Sequence, residues 1–151
     1  MTSKIMKKRK LVLLLIILVL LSVGLLTAYK PRITVNNIKL KKALTGVSDV
    51  ERVSLDEVVP FKWDKVYTFA PYTSKEEIEE TIGLSSSAIT ETVNEGMVQL
   101  IFVKGDKIVA SVCGYAESLG YSVQFEDVVE YGEGTKFEVE YADNVIRFNV
   151  Q

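Results

Sequence analysis

Histidine is absent from the 151 residues of this chain, and Cys113 is the only cysteine. Without histidine, no Ser–His pair, no Cys–His pair and no histidine-ligated metal site can form within the chain. A single cysteine cannot form an internal disulfide, so an apolar core has to stabilise the fold. Cys113 lies in a strand-like stretch without a nearby basic residue, which favours a buried apolar role over a reactive thiol.

Several sequence motifs that carry chemistry are also missing. The chain has no phosphate-binding glycine loop, no G-x-S-x-G nucleophile motif and no D-x-D-x-D-G calcium loop. The acidic residues between Glu126 and Glu140 therefore indicate a solvated surface rather than a metal site or a pair of glycosidase carboxylates. The sequence predicts no metal, no cofactor and no enzymatic activity, with an enzyme built from carboxylates alone as the alternative.

Charge is unevenly distributed along the chain. Five basic residues and no acidic residue precede Leu11, whereas the part from Lys30 onward has 13 basic and 20 acidic residues, a formal charge of −7. Nucleic-acid binding depends on the neutralisation of phosphates by basic side chains. The acidic part of the chain therefore argues against a nucleic-acid partner.

The longest apolar run extends from Leu11 to Tyr29 and contains no charged residue. As a helix it would be about 28 Å long, close to the thickness of a bilayer core. It predicts a transmembrane anchor of a single-pass cell-membrane protein, with the basic tip of residues 1–10 in the cytoplasm and the C-terminal domain outside. A signal peptide cleaved near Thr27 and Ala28 is the alternative.

The rest of the chain is predicted to contain a stalk and one domain. Residues 30–53 are interpreted as the stalk, because Pro31 is expected to end the membrane helix and the following pattern is irregular. Residues 54–151 are predicted to form an extracytoplasmic α+β domain. Its expected architecture is an antiparallel sheet of about five or six strands with one or two short helices on one face.

Two capping boxes predict the helices of this domain. Ser54 and Glu57 predict a single helical turn, which Pro60 ends. Ser74 and Glu77 predict a longer helix that ends at Gly83. The second is the clearest helix signal in the domain.

Two hairpins are predicted to form much of the sheet. The first turns at Gly105-Asp106 and would place Val103 opposite Ile108 and Ile101 opposite Ala110. The second turns at Asp143-Asn144. Its expected cross-strand pairs are Tyr141 with Ile146, Val139 with Phe148, Phe137 with Val150 and, on the polar face, Glu140 with Arg147 as an ion pair.

Aromatic residues are concentrated in one segment, which predicts both a strand and a candidate interaction surface. The stretch Phe61–Phe69 alternates between aromatic and polar residues, as a strand with one buried face does. Its aromatic side chains are expected to form one strip of the core. With Tyr72 and part of Trp63 exposed, the residues Trp63, Tyr67 and Tyr72 would instead form an aromatic binding platform.

The same segment carries a family resemblance. Residues 63–74 read WDKVYTFAPYTS and fit the pattern W-D-x-x-Y-x-F-x-P-Y-T-S within a match over residues 63–83. This resembles a motif of an uncharacterised family of small exported or membrane-anchored proteins of Gram-positive bacteria. The chain lacks the lipid-accepting cysteine of several such proteins. The resemblance implies a bacterial envelope location and transfers no site residue.

Together these features predict a membrane-anchored extracytoplasmic accessory or binding domain that is not catalytic. Its predicted partners are the membrane, through the N-terminal helix, and another envelope protein. Two alternatives stay open. One is a small subunit of a membrane complex that uses the anchor helix, and the other is a carboxylate-based envelope enzyme.

Overall fold

The computed structural model describes the backbone of residues 2–48 and 50–150, and the side chains of residue 10 and of residues 12–22, 32–48 and 50–150. The chain divides into two compact units, Met1–Arg32 and Ile33–Gln151. The first helix, α1 (Thr2–Thr45), runs through the boundary between these units. In the first unit, the apolar side chains from Val12 to Leu21 are exposed.

The predicted transmembrane anchor is wrong. Among the residues that the structure describes, no helix has the length and apolar character needed to cross a membrane. The apolar run at Leu11–Tyr29 is one section of a 44-residue helix, which also contains the basic residues on both sides of the run. The membrane partner and the single-pass placement with an outer domain depended on this anchor and are corrected with it. The cleavage-site residues Thr27 and Ala28 have side chains outside the described residues.

The predicted stalk also differs from the structure. The α1 helix continues through Pro31 to Thr45, and from Ile33 onward the chain belongs to the second compact unit. Leu40 and Leu44 are fully buried in the core of that unit. Burial of two leucines contributes about 3–6 kcal/mol, which explains why this segment is held as a helix despite its irregular apolar pattern.

The described residues of the second unit form eight strands and three short helices after α1. In chain order they are β1 (Arg52–Ser54), α2 (Leu55–Val58), β2 (Lys65–Tyr67), α3 (Lys75–Ile82), β3 (Met97–Lys104), β4 (Lys107–Tyr115), α4 (Ala116–Leu119), β5 (Tyr121–Gln124), β6 (Val128–Glu130), β7 (Lys136–Ala142) and β8 (Val145–Val150). The α+β class is confirmed, whereas the strands form two sheets rather than one. The first sheet has the order β1-β7-β8-β5 and the second β4-β3-β2-β6.

The prediction of one antiparallel sheet is wrong because the two predicted hairpins lie in different sheets. The β3–β4 hairpin belongs to the second sheet and the β7–β8 hairpin to the first. Between them, α4 ends at Gly120 in the left-handed conformation and the chain enters β5. β5 then pairs in parallel with β8, with Tyr121 opposite Ile146. Such a pairing of distant segments leaves no local pattern in the sequence.

The hairpin registers are confirmed in part. All predicted pairs of the β7–β8 hairpin form, including Tyr141 with Ile146, and its turn residues Asp143 and Asn144 both have positive φ angles. In the β3–β4 hairpin, Val103 faces Ile108 as predicted, but Ala110 faces Phe102 rather than Ile101. A β-bulge between Phe102 and Val103 shifts the register by one residue. The ion pair recorded for Arg147 joins it to Asp143 at 3.8 Å rather than to Glu140.

Both predicted capping boxes form. Ser54 precedes α2, and Ser74 precedes α3, which ends at Gly83 in the left-handed conformation. The Glu77 N–H donates to Ser74 Oγ at 3.3 Å, and the Ser74 N–H donates back to Glu77 Oε2 at 3.0 Å. This hydrogen bond from the Ser74 backbone lowers the pKa of Glu77.

One hydrophobic core connects the two sheets and the end of α1. It contains Leu40 and Leu44 of α1, Phe102 of the second sheet, and Phe137 and Phe148 of the first sheet, all buried. Because both sheets contribute to the same core, they form two packed layers. The strand ends at one side of these layers leave the cleft described next.

A candidate ligand-binding cleft

A cleft of about 520 Å³ opens where strands of the two sheets end. Its volume lies in the range of about 300–1,000 Å³ that is typical of ligand pockets. Three stretches of chain and two single residues line it, namely residues 68–70, 96–99 and 122–127, Ala116 and Arg147. We call this feature the cleft. It joins segments that are far apart in the sequence.

Two nearly buried polar residues contribute to the cleft lining. Gln99 of β3 is 2% exposed and Ser122 of β5 is 5% exposed. The Gln99 Nε2 donates to Thr90 O at 2.6 Å. Within the described part of the chain, Gln99 Oε1 and Ser122 Oγ have no hydrogen-bond partner. Buried polar atoms in folded proteins almost always have one. Both oxygens are themselves inaccessible to solvent, so a ligand in the open cleft reaches them only after a movement of the lining.

Two acidic residues lie on the loop that follows β5 at the edge of the cleft. Glu126 and Asp127 are both exposed. The backbone positions them, because Asp127 O accepts from the Thr68 N–H at 3.0 Å and Glu126 O accepts from the Val128 N–H at 2.7 Å. For the residues that the structure describes, no ion pair is recorded for either carboxylate. Arg147 also lines the cleft, but its guanidinium faces Asp143.

Three exposed side chains lie close in the sequence to residues of the cleft lining, on segments that hydrogen bonds connect. Tyr72, two residues after Ala70 of the cleft lining, is 66% exposed, and its N–H donates to Thr92 O at 3.0 Å. Val93 is 60% exposed. The next residue, Asn94, donates through Nδ2 to the hydroxyl of Tyr115 at 2.8 Å, and Tyr115 is 42% exposed. We call Tyr72, Val93 and Tyr115 the apolar rim.

The three predicted surface residues do not form one platform. Trp63 is 2% exposed and makes edge-to-face contacts with Phe102 and Tyr131, so it belongs to the core. Tyr67 is half-buried and stacks on Phe69, with ring centroids 6.4 Å apart. Tyr72 alone is well exposed. The aromatic segment does reach the cleft, but through Phe69, which is part of the lining, and not through the three predicted residues.

The predicted strand Phe61–Phe69 is shorter than its alternation indicated, and this explains the difference. Only Lys65–Tyr67 is a strand, with Val66 fully buried and its two neighbours half-buried. Trp63 and Val66 therefore both point inward, although they differ in parity. A continuous strand would have placed them on opposite faces.

Gln99 and Ser122 were not among the site residues predicted from the sequence. Gln99 had a readable signal, because it interrupts the otherwise apolar strand Val98–Val103 and a polar residue at such a position needs a reason. Ser122 had none, since β5 is only four residues long and its alternation of apolar and polar residues would place Ser122 on an exposed face. Its place at the cleft depends on the parallel pairing with β8.

The described part of the chain was also searched for a metal site and for a reactive thiol. No cluster of three or more acidic or cysteine side chains there is arranged to hold a metal ion. Cys113 is half-buried, its Sγ lies 3.7 Å from Glu91 O, and burial raises the pKa of its thiol. A raised pKa leaves less thiolate at neutral pH and hence a less reactive side chain.

Comparison with known proteins gives no relative: no family model matches the chain, and neither a curated protein nor a solved structure is significantly similar to it. The resemblance of residues 63–83 to a bacterial envelope family stays a prediction. Function therefore has to be argued from the cleft and its surroundings.

Proposed function

We propose that the second unit is a non-enzymatic binding domain and that its ligand occupies the cleft. The observation that carries this proposal is the cleft itself, whose volume of about 520 Å³ lies in the range of about 300–1,000 Å³ that is typical of ligand pockets. Residues of both sheets line it, so the packing of the two sheets shapes the site.

The apolar rim favours a protein partner over an isolated small molecule. Exposed tyrosines are frequent anchors in protein interfaces, since they bury much area for little conformational entropy. Tyr72 has a positive φ of 68°, a conformation that non-glycine residues adopt at a cost of about 1–3 kcal/mol. Such strain at an exposed aromatic residue supports a role in recognition.

A carboxylate-based enzyme is the second candidate, because Glu126 and Asp127 both line the cleft. General acid catalysis near neutral pH requires a carboxyl group whose pKa is raised, typically by burial. Both of these side chains are exposed. Exposure favours electrostatic attraction of a ligand over proton transfer, and the binding function is therefore preferred.

The proposal is tested by NMR titration of the ¹⁵N-labelled chain with a library of small polar fragments that includes capped amino acids. We expect saturable shifts of the Gln99 and Ser122 amides, and none at Arg52 and Glu138, which lie outside the cleft lining. A screen in which no fragment moves a cleft amide would contradict the proposal. The NMR signals of the fragments themselves should stay unchanged during incubation. New signals from a reaction product would favour the carboxylate-based enzyme instead.

A further inference from the structure

The charges around the cleft are not balanced. Glu126 and Asp127 line it without a recorded ion pair in the described residues, whereas the one basic residue of the lining, Arg147, faces Asp143. The surrounding unit is also acidic, since residues 33–151 contain 11 basic and 20 acidic residues. The local and the overall charge therefore both attract a cation.

The walls of the cleft suit a long aliphatic side chain. Its lining includes four apolar residues with large side chains, namely Phe69, Met97, Val98 and Phe125. Lysine and arginine bury their aliphatic stems along apolar surface while the charged head stays near water. Aromatic rings add an attraction for the cation.

The acidic groups that the cleft exposes also favour a cationic ligand. Glu126 and Asp127 are exposed residues of the lining, and their carboxylates can only accept hydrogen bonds. An ammonium or guanidinium group offers three to five donors and no acceptor, and thus complements this set.

We infer that the cleft receives a lysine or arginine side chain presented by a partner protein, with the aliphatic stem between the apolar walls and the charged head at Glu126 and Asp127. This inference rests on the proposed function, because it names the ligand of the same cleft.

The test compares three capped amino acids of similar length, the N-acetyl methylamides of lysine, norleucine and glutamate, in NMR titrations of the full chain. Norleucine has the lysine stem without the charge, and glutamate has the opposite charge. Exposed ion pairs are worth about 0.2–1 kcal/mol each. Two of them predict that lysine binds about 2- to 30-fold more tightly than norleucine, and that glutamate binds more weakly than both.

A charge-removing variant identifies the groups responsible. The double variant Glu126→Gln/Asp127→Asn should abolish the preference for lysine and keep the affinity for norleucine. The matched control Glu76→Gln/Glu80→Gln removes the same charge from two exposed residues of α3 and should leave the preference unchanged. Equal loss in both variants would show that only the net charge matters and would overturn the inference.

The possible failures are distinguishable. Binding of norleucine as tight as that of lysine would overturn the cationic ligand but leave the cleft as a binding site. If none of the three probes and no fragment of the library shifts the Gln99 or Ser122 amides, the proposed function itself fails. Saturable lysine shifts confined to other surfaces would contradict both.

Discussion

Tyr121 is the clearest titratable side chain of the core. It is fully buried, and its hydroxyl has no hydrogen-bond partner within the described residues. Burial disfavours the phenolate and raises the pKa of Tyr121 from 10.0 to about 12. In the unfolded chain this group ionises near its ordinary value, whereas in the folded chain it stays neutral to a higher pH.

This difference predicts an alkaline loss of stability. The contribution of Tyr121 is constant below about pH 10 and falls as the pH rises from about 10 to 12, because only the unfolded state loses the proton there. At pH 11 the free energy of unfolding should have dropped by about 1.4 kcal/mol on account of this residue. Tyr121→Phe should lack this part of the drop and be as stable as wild type, or more so, at pH 7.

Urea unfolding at pH 7, 9 and 11 measures the effect. Tyr131→Phe changes a 58% exposed tyrosine and is the matched control, whose pH dependence should follow that of wild type. If the free energy of unfolding falls equally with pH in wild type and in Tyr121→Phe, the Tyr121 hydroxyl ionises as readily in the folded chain as in the unfolded chain, and the prediction is wrong.

At the residue scale, composition and capping were readable from the sequence, whereas the orientation of single side chains was not. Ser74 and Gly83 bound α3 as predicted, since capping depends on a few neighbouring residues. Trp63 and Tyr67 were expected on one face, yet one is buried in the core and the other is half-buried. That expectation assumed a continuous strand with side chains alternating between its two faces. The strand begins only at Lys65, so the alternation does not extend back to Trp63.

At the scale of elements, α1 covers an edge strand. β4 is an outer strand of the second sheet, and edge strands expose backbone groups that promote association. Asn37 Nδ2 donates to Ser111 O at 2.7 Å, and its Oδ1 accepts from the Ser111 N–H at 3.0 Å. Asn36 Nδ2 donates to Val109 O at 2.8 Å. These side chains replace a neighbouring strand along part of β4.

Asn37→Leu should therefore destabilise the protein and expose the edge of β4. The loss of two hydrogen bonds predicts a decrease of about 1–3 kcal/mol in the free energy of unfolding. The uncovered backbone groups of Ser111 should also cause concentration-dependent association. Urea unfolding and sedimentation velocity measure the two effects.

Lys39→Leu provides the control for this experiment, because it places the same apolar side chain at an exposed position of the same helix. It should remain as stable and as monodisperse as wild type. If Lys39→Leu associates to the same extent as Asn37→Leu, the added apolar surface rather than the open strand edge is responsible.

Local elements were predictable to the extent that their signals are local. The Asp143-Asn144 turn set the full register of the β7–β8 hairpin, whereas the bulge at Phe102 shifted six of the eight β3–β4 pairs, those from Phe102 back to Met97. The division into two sheets could not be read, since the β5–β8 pairing joins residues about 25 positions apart. The cleft was hidden for the same reason.

At the scale of the whole molecule, the folded core begins much earlier in the chain than the sequence indicated. The predicted domain started at residue 54, but the compact unit starts at Ile33. In the described part of the chain, all members of the core cluster follow this residue, and the cluster includes Leu40 and Leu44 of α1. The end of α1 is therefore a structural part of the domain.

A fragment of residues 33–151 should unfold cooperatively with the stability of the full chain, whereas residues 46–151 should not fold. Truncation of a buried leucine costs about 2–5 kcal/mol, so losing two costs about 4–10 kcal/mol. That equals most of the 5–15 kcal/mol by which a typical domain is stable. Circular dichroism and urea unfolding of both fragments check this.

Leu40→Ala/Leu44→Ala in the full chain should reproduce the loss, and Leu13→Ala/Leu14→Ala, at positions about 60% exposed, should not. Cooperative folding of residues 46–151 would mean that α1 packs on a core already complete without it.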